Sequence, residues 1–356
     1  MVLLDTNYLY YISGVIETLP ENINMKNLKR HIQKGQCYIS ELTVIEFCVH
    51  YRNDIDKIKC IINTIKKYNI RIINYPHKLN NRIYEKLFEK SIIDIENNES
   101  ELIEYINNAF ELKIRIESQF ILFWSINVAT IYLGTNIYPG ENYISESIQY
   151  MFANNLINLA ILITGEEYSL SNNLKNDLRS YYKKEEKSIK NIILNYTLEI
   201  CEYYIEMYYT SLENCNFFEF IENYDIFDIN KKEKIVNSIS SDAFFKKIEK
   251  RKNEQKKLVK PSVINTLENN MVLFEKAISK NFNQIVIKYY SKMFTSFFVD
   301  NKKIEKNAII DSLLLNYYPS FIIITNDKYL NEFIAEYDHK YYENITKTKT
   351  KWTYGI

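Results

Sequence analysis

Glycine and proline are scarce, with 6 and 5 among 356 residues. The glycines (Gly14, Gly35, Gly134, Gly140, Gly165, Gly355) spell neither G-x-G-x-x-G nor G-x-x-x-x-G-K-[ST], which argues against a dinucleotide fold and a P-loop ATPase. So few breakers among so many Ile, Lys, Glu and Asn residues predict a largely helical chain. Cysteine numbers only 5, an odd count without C-x-x-C spacing, which argues against a zinc site or disulfide framework and suits a reducing cytoplasm. The 4 histidines form no H-E-x-x-H, and there is no G-x-S-x-G elbow. Net charge is absent as well, because Lys+Arg and Asp+Glu both number 45. Overall charge therefore selects neither a nucleic acid nor a membrane as partner; only a local patch can do so. The longest apolar stretches, "FILFWSINVATIYLG" and "NLINLAILITG", are too short or too interrupted to span a bilayer. The first residues, "MVLLDTN", lack the basic region of a signal peptide, so the expectation is a cytoplasmic protein without a membrane partner.

What the chain does have is a 46% hydrophobic content and 31 tyrosines, enough to bury a substantial core. "VLLD" reads as a short buried strand and "CYIS" and "IRIINYP" as further strands, separated by helical patterns over the first 76 residues. From about 80 to 300 the alternation gives way to helix after helix, marked by tyrosine pairs such as Tyr181-Tyr182, Tyr203-Tyr204, Tyr208-Tyr209 and Tyr289-Tyr290. The first pattern then returns: "NAIIDSLLLNYY" as a helix, "FIIIT" as a strand, "DKYLNEFIAEY" as a helix and "KTKWTY" as an edge strand. The predicted fold class is α/β, a parallel sheet flanked by helices and interrupted by a large all-α insertion. Residues 1–76 and 301–356 form the core and 77–300 the insertion. Folded cores tolerate insertions of this kind at surface connections.

Four carboxylates occupy particular places in that core. Asp5 and Asp327 follow the first and last strands, and ligands of open parallel sheets bind beyond the carboxyl ends of strands. Each acid also suits the plainer role of capping the next helix. Glu46 borders the buried stripe Leu42, Ile45 and Val49 of the helix after "CYIS". Asp311 interrupts the apolar run "NAIIDSLLL", with Asn307 a turn earlier on the same face, and a carboxylate among such residues needs a partner. His50, one turn after Glu46, reads as a residue of the helix surface.

Taken in order, "LLDTN", "SELTVIEF", "NAIIDSLLL" and "IIITNDKYL" resemble the PIN-domain nucleases. In that family the first acid ends strand one and the second sits in the helix after strand two. The third lies in a late helix, and the fourth follows a threonine after the next strand. The resemblance implies Asp5, Glu46, Asp311 and Asp327 as catalytic metal ligands, with Glu46 a ligand or the orienter of the attacking water. Thr6, Asn7, Thr43, Thr325, Asn326 and Asn307 become their supports. It covers about residues 1–76 and 301–345, and 264 residues separate the second and third acids, where the family has a few tens. A haloacid-dehalogenase-type phosphatase needs Asp where this chain has Asn7, and ranks below.

Carboxylates gathered on one rim repel one another, and a hard divalent cation, Mg²⁺ or Mn²⁺, relieves that repulsion. The expected activity is metal-dependent phosphodiester hydrolysis, with RNA favoured over DNA by the resemblance alone. A non-catalytic scaffold binding RNA or protein, and a structure-dependent DNA nuclease, are the alternatives. Within the insertion, "KKIEKRKNEQKKLVK" offers Lys246, Lys247, Lys250, Arg251, Lys252, Lys256 and Lys257 to a phosphate backbone, or simply to solvent. Seven acids between 94 and 117 (Asp94, Glu96, Glu99, Glu101, Glu104, Glu111, Glu117) give the opposite charge, and separated charges of this kind suit an oligomer or a regulatory protein partner. A free nuclease endangers its cell, so a toxin or anti-phage role under partner control fits. The insertion then selects substrate or controls activity.

Overall fold

The computed structural model describes residues 1–16, 23–34, 37–75, 87–136, 169–182, 189–214, 284–294 and 308–353. It adds residue 296 and single positions between 246 and 265. Its elements begin with β1 (Val2–Leu4), α1 (Thr6–Ser13), α2 (Met25–Gln33), β2 (Cys37–Ser40), α3 (Glu41–His50), α4 (Ile55–Tyr68) and β3 (Arg71–Ile73). Helices α5 (Glu99–Asn136), α6 (Ser169–Tyr182), α7 (Ile189–Asn214) and α8 (Gln284–Phe294) follow. The chain closes with α9 (Ala308–Leu314), a 3-10 turn (Leu315–Tyr317), β4 (Ile322–Ile324), α10 (Lys328–Tyr337) and α11 (His339–Thr353). The fold is therefore α/β, a parallel sheet surrounded by helices.

The chain divides into two compact units. The first holds Met1–Glu117, Asn281–Lys292 and Glu305–Ile356, and so takes in more of the chain than the residues 1–76 and 301–356 expected for the core. The second holds Ser118–Lys280 and Met293–Ile304 and is helical where described.

All four strands of the first unit lie in one sheet, in the order β3-β2-β1-β4. Each pairing is parallel, with Val2 opposite Cys37 and Ile322, Leu4 opposite Ile324, and Tyr38 opposite Arg71. In β1, β2 and β4, three or four residues suffice because the strands are largely buried on both faces: Val2, Leu3, Leu4, Ile39, Ile323 and Ile324 are all core, whereas the edge strand β3 exposes Arg71. The register sets the carboxyl ends of β1 and β4 side by side, and the Asp5 N–H extends the ladder to the Ile324 carbonyl at 3.1 Å.

Helix starts are capped by polar side chains at the strand ends. Asp5 accepts from the Thr6 N–H, Ser40 from those of Leu42 and Thr43, and Asp327 from that of Leu330. At the other end of α1, Gly14 holds φ at 72° and donates its N–H to the Tyr10 and Tyr11 carbonyls. A Cβ there meets nothing within 4 Å, so the cost of Gly14→Ala is backbone strain alone. We expect a loss of about 1 kcal/mol, read from urea unfolding.

Of the segment "KTKWTY", expected as an edge strand, residues 349–353 are the end of α11, and Tyr354 lies outside the described residues. Tyr341, Ile345 and Trp352 fall on one helical face and are buried, and Trp352 stacks on His31 with ring centroids 5.5 Å apart. The carbonyls at the helix end are satisfied by α2: Asn27 Nδ2 reaches the Trp352 carbonyl at 3.0 Å, and the Asn24 N–H that of Thr353 at 2.6 Å. Tertiary packing of that face outweighs the strand preference of Thr, Trp and Tyr.

Candidate metal centre

The sheet delivers the carboxylates. Asp5 leaves the end of β1 with 4% of its surface exposed. Its Oδ1 accepts the Thr6 N–H at 2.7 Å, and its Oδ2 accepts the Thr325 hydroxyl at 2.7 Å and Asn7 Nδ2 at 3.3 Å. Thr325 is locked in turn, because its Oγ1 accepts the Asp327 N–H at 2.9 Å. The hydroxyl proton therefore has one direction left, toward Asp5.

Glu46 sits one turn into α3, a helix buried from Glu41 to Cys48. It is inside rather than at the border of the buried stripe, with 8% exposure. Its Oε2 accepts a short hydrogen bond from the Thr6 hydroxyl, which ties it to the residue that follows Asp5. Asp311, half-buried in α9, completes the group: one carboxylate oxygen from each of Asp5, Glu46 and Asp311 lies within 4.8 Å of the others. Three chain segments far apart in sequence thus bring like charges together.

The electrostatics follow from that crowding. Burial, and then the charge of Asp327, push the Asp5 carboxyl above its ordinary range, against the pull of its bonds to Thr325, Thr6 and Asn7. Burial pushes Asp311 well up, reinforced by Glu46, Asp5 and Asp327 and opposed by Lys113. That lysine is itself buried in α5, paired with Glu117 at 2.7 Å. Asp327 lies outside the tight group. Its Oδ1 caps α10 through the Leu330 N–H, and its charge acts on Asp5 and Asp311 from beside them.

The remaining expected supports fall as follows. Asn326 accepts from the Tyr8 hydroxyl at 2.9 Å and donates to that of Tyr11 at 3.2 Å, which fastens the turn after β4 to α1. Thr43 is buried on α3, one turn before Glu46, and its hydroxyl has no partner among the described residues. Asn307 lies outside the described residues. His50 is exposed, with its ring 5.5 Å from that of Tyr10, as a helix-surface residue should be.

Three groups near the acids carry no sequence motif. The Tyr10 hydroxyl is buried without a hydrogen-bond partner among the described residues, and burial, then the charge of Glu46, push its pKa well up. Tyr289 is likewise buried and feels Asp327 and Asp311. Lys349 of α11 donates to the Thr325 carbonyl at 3.0 Å. For Tyr10 the helical spacing of α1 gives burial but not the neighbouring acid; for the others no local signal exists.

Among the basic residues of the second unit, Lys246, Lys250 and Lys257 are exposed. Lys252 is buried between Glu206 and Glu249, at 3.1 and 2.7 Å, and Lys256 pairs with Glu206. Part of that positive run is therefore neutralised by neighbouring glutamates. Lys247 and Arg251 lie outside the described residues. Of the tyrosine pairs, Tyr289 and Tyr290 are both core, and Tyr182 is buried beside a half-buried Tyr181. Among the described residues, no helix is long and apolar enough to cross a membrane.

Asp5, Glu46 and Asp311 thus form a buried acidic cluster that can hold a metal ion. The donor set is all oxygen, which suits a hard divalent cation such as Mg²⁺ or Mn²⁺. Two buried hydroxyls, Tyr10 Oη and Thr43 Oγ1, have no hydrogen-bond partner among the described residues. Compared with family models, curated proteins and solved structures, the chain matches none.

Proposed function

We propose that the protein is a metal-dependent nuclease with a PIN-like core, hydrolysing phosphodiesters, RNA before DNA. The observation that carries the reading is the convergence of Asp5, Glu46 and Asp311 within 4.8 Å at the carboxyl end of a parallel sheet. Structural carboxylates are ordinarily paired with cations or exposed, whereas Asp5 and Glu46 are buried and the half-buried Asp311 brings a third like charge beside them. When bound, a divalent cation supplies Lewis acidity, acidifying water and offsetting charge on a phosphoryl oxygen. Asp5 and Asp311 would hold it, with Glu46 completing the set or standing next to the attacking water.

The protein's own groups do the rest. Thr325 and Thr6 fix Asp5, and the Thr6 hydroxyl holds in place Glu46, the carboxylate that orients water and takes its proton. The water oxygen bonds to phosphorus as the P–O3′ bond breaks, and the leaving oxygen takes a proton from solvent. The products are a 5′-phosphate and a 3′-hydroxyl. No 2′-hydroxyl takes part, so RNA and DNA are distinguished outside the reacting centre. The preference for RNA rests on the resemblance of the four acidic motifs to PIN-domain nucleases.

The test is cleavage of labelled single-stranded RNA, tRNA and DNA with Mn²⁺ or Mg²⁺. We expect cutting that stops with EDTA and returns when metal is restored. DNA cut in preference to RNA would assign the DNA nuclease instead. Mn²⁺ binding without cutting of any substrate would leave a metal-binding scaffold.

A further inference from the structure

Lys349 is half-buried near the end of α11, and its ammonium reaches the rim on which the acids lie. The contact that places it there is a hydrogen bond to the Thr325 carbonyl at 3.0 Å. That carbonyl already accepts Asn331 Nδ2 at 3.1 Å, so it does not need the lysine. Thr325 in turn donates its hydroxyl to Asp5, which puts the ammonium one residue from the central carboxylate. Burial lowers the proton affinity of Lys349, and the charge of Asp5 opposes that effect in part.

The form of the contact is informative. A lysine serving only to neutralise the cluster would sit on a carboxylate, as Lys113 sits on Glu117. Lys349 sits on a neutral carbonyl and forms no ion pair among the described residues. The lysine occupies neither Asp5 oxygen, and two of its ammonium N–H groups have no protein acceptor among the described residues. An ammonium held beside a cation site, with donors to spare, presents itself to an anion that bridges to that cation.

We propose that Lys349 is a catalytic residue that donates hydrogen bonds to a non-bridging oxygen of the phosphoryl group held at the Asp5–Glu46–Asp311 cluster. The ammonium stays protonated throughout and stabilises the charge that grows on that oxygen. The cleavage part of this proposal rests on the nuclease reading; the phosphate contact does not.

The test compares wild type with Lys349→Met and Lys349→Arg, using Lys347→Met as a control. Lys347 lies on the same helix with its side chain 75% exposed. Mn²⁺ affinity, binding of inorganic phosphate to the Mn²⁺-loaded protein, and RNA cleavage are read for each. Lys349→Met should keep wild-type Mn²⁺ affinity, weaken phosphate binding at least tenfold and slow cleavage about 10²-fold. Lys349→Arg should recover part of both, and Lys347→Met should match wild type. Unchanged phosphate binding and cleavage in Lys349→Met would overturn the assignment. So would a parallel loss of Mn²⁺ affinity, which would make Lys349 a strut for Asp5. If wild type cuts nothing yet its phosphate binding depends on Lys349, the nuclease reading and the catalytic role fail and the phosphate contact stands. If the Mn²⁺-loaded wild type binds no phosphate, the Lys349 contact is refuted directly.

Discussion

Replacing Asp5 by asparagine should lower metal-dependent cleavage on the order of 10³-fold while leaving the protein folded. Asp5 is the acid most firmly placed, on a central strand with three donors aimed at its two oxygens. Asparagine keeps Oδ1 for the Thr6 N–H, so the α1 cap survives. Its amide group, however, meets the Thr325 hydroxyl and Asn7 Nδ2, both donors, where the carboxylate had accepted them. Part of the hydrogen bonding is lost and part of the charge repulsion is relieved. The two effects oppose each other, and we expect unfolding free energy to change by no more than about 1 kcal/mol. Mn²⁺ titration and thermal unfolding beside the cleavage assay separate the cases. Lost cleavage with a retained melting temperature places Asp5 at the reacting centre. Full activity in Asp5→Asn would remove the site from the mechanism altogether.

The strands were readable because the sequence and the sheet obey the same rule. "VLLD", "CYIS" and "FIIIT" are unbroken apolar runs closed by polar residues, which is what strands buried on both faces require. The acids at their ends could be named for the same reason, since a parallel sheet sends every such end to one rim. Glu46 and Asp311 were visible as carboxylates out of keeping with their apolar surroundings. What stayed hidden depends on contacts between residues far apart in the chain. The period of Tyr341, Ile345 and Trp352 was helical, but it becomes decisive only with His31 and Asn27 across from it. Lys349 is one lysine among several in "KTKTKW", and nothing local distinguishes it from Lys347. Lys113 lay in a stretch that reads as acidic, and its opposition to Asp311 arises only once α5 is packed. Asp327 shows the converse: its position was right, yet its carboxylate is engaged in capping α10 and stands apart from the other three acids.

Asp311→Asn should raise the stability of the metal-free protein and abolish its stabilisation by Mn²⁺. The Asp311 carboxylate has no hydrogen bond among the described residues. Burial, with Glu46, Asp5 and Asp327 adding to it, holds its pKa well above the ordinary carboxyl value. In the unfolded chain the same group ionises near pH 4. Between that pH and the raised folded value, the folded state binds more protons than the unfolded state. Stability of the metal-free protein therefore falls as pH rises through this window, and Asp5 acts in the same direction. Asparagine removes the Asp311 titration, so the variant should gain about 1 kcal/mol over wild type at pH 8. That gain should shrink toward zero near pH 4. Metal reverses the order, because binding to ionised carboxylates displaces their protons and strengthens as pH rises. Wild type with Mn²⁺ at 100 times its Kd should gain about 2.7 kcal/mol, and more at pH 8 than at pH 5 for a fixed Mn²⁺ concentration. Calorimetric melts of both proteins, with and without Mn²⁺ across that range, decide the matter. A variant less stable than wild type at pH 8 without metal would mean that Asp311 is held by attraction, not strained by repulsion. A variant stabilised by Mn²⁺ as strongly as wild type would strike Asp311 from the ligands and leave Asp5 and Glu46 to hold the ion.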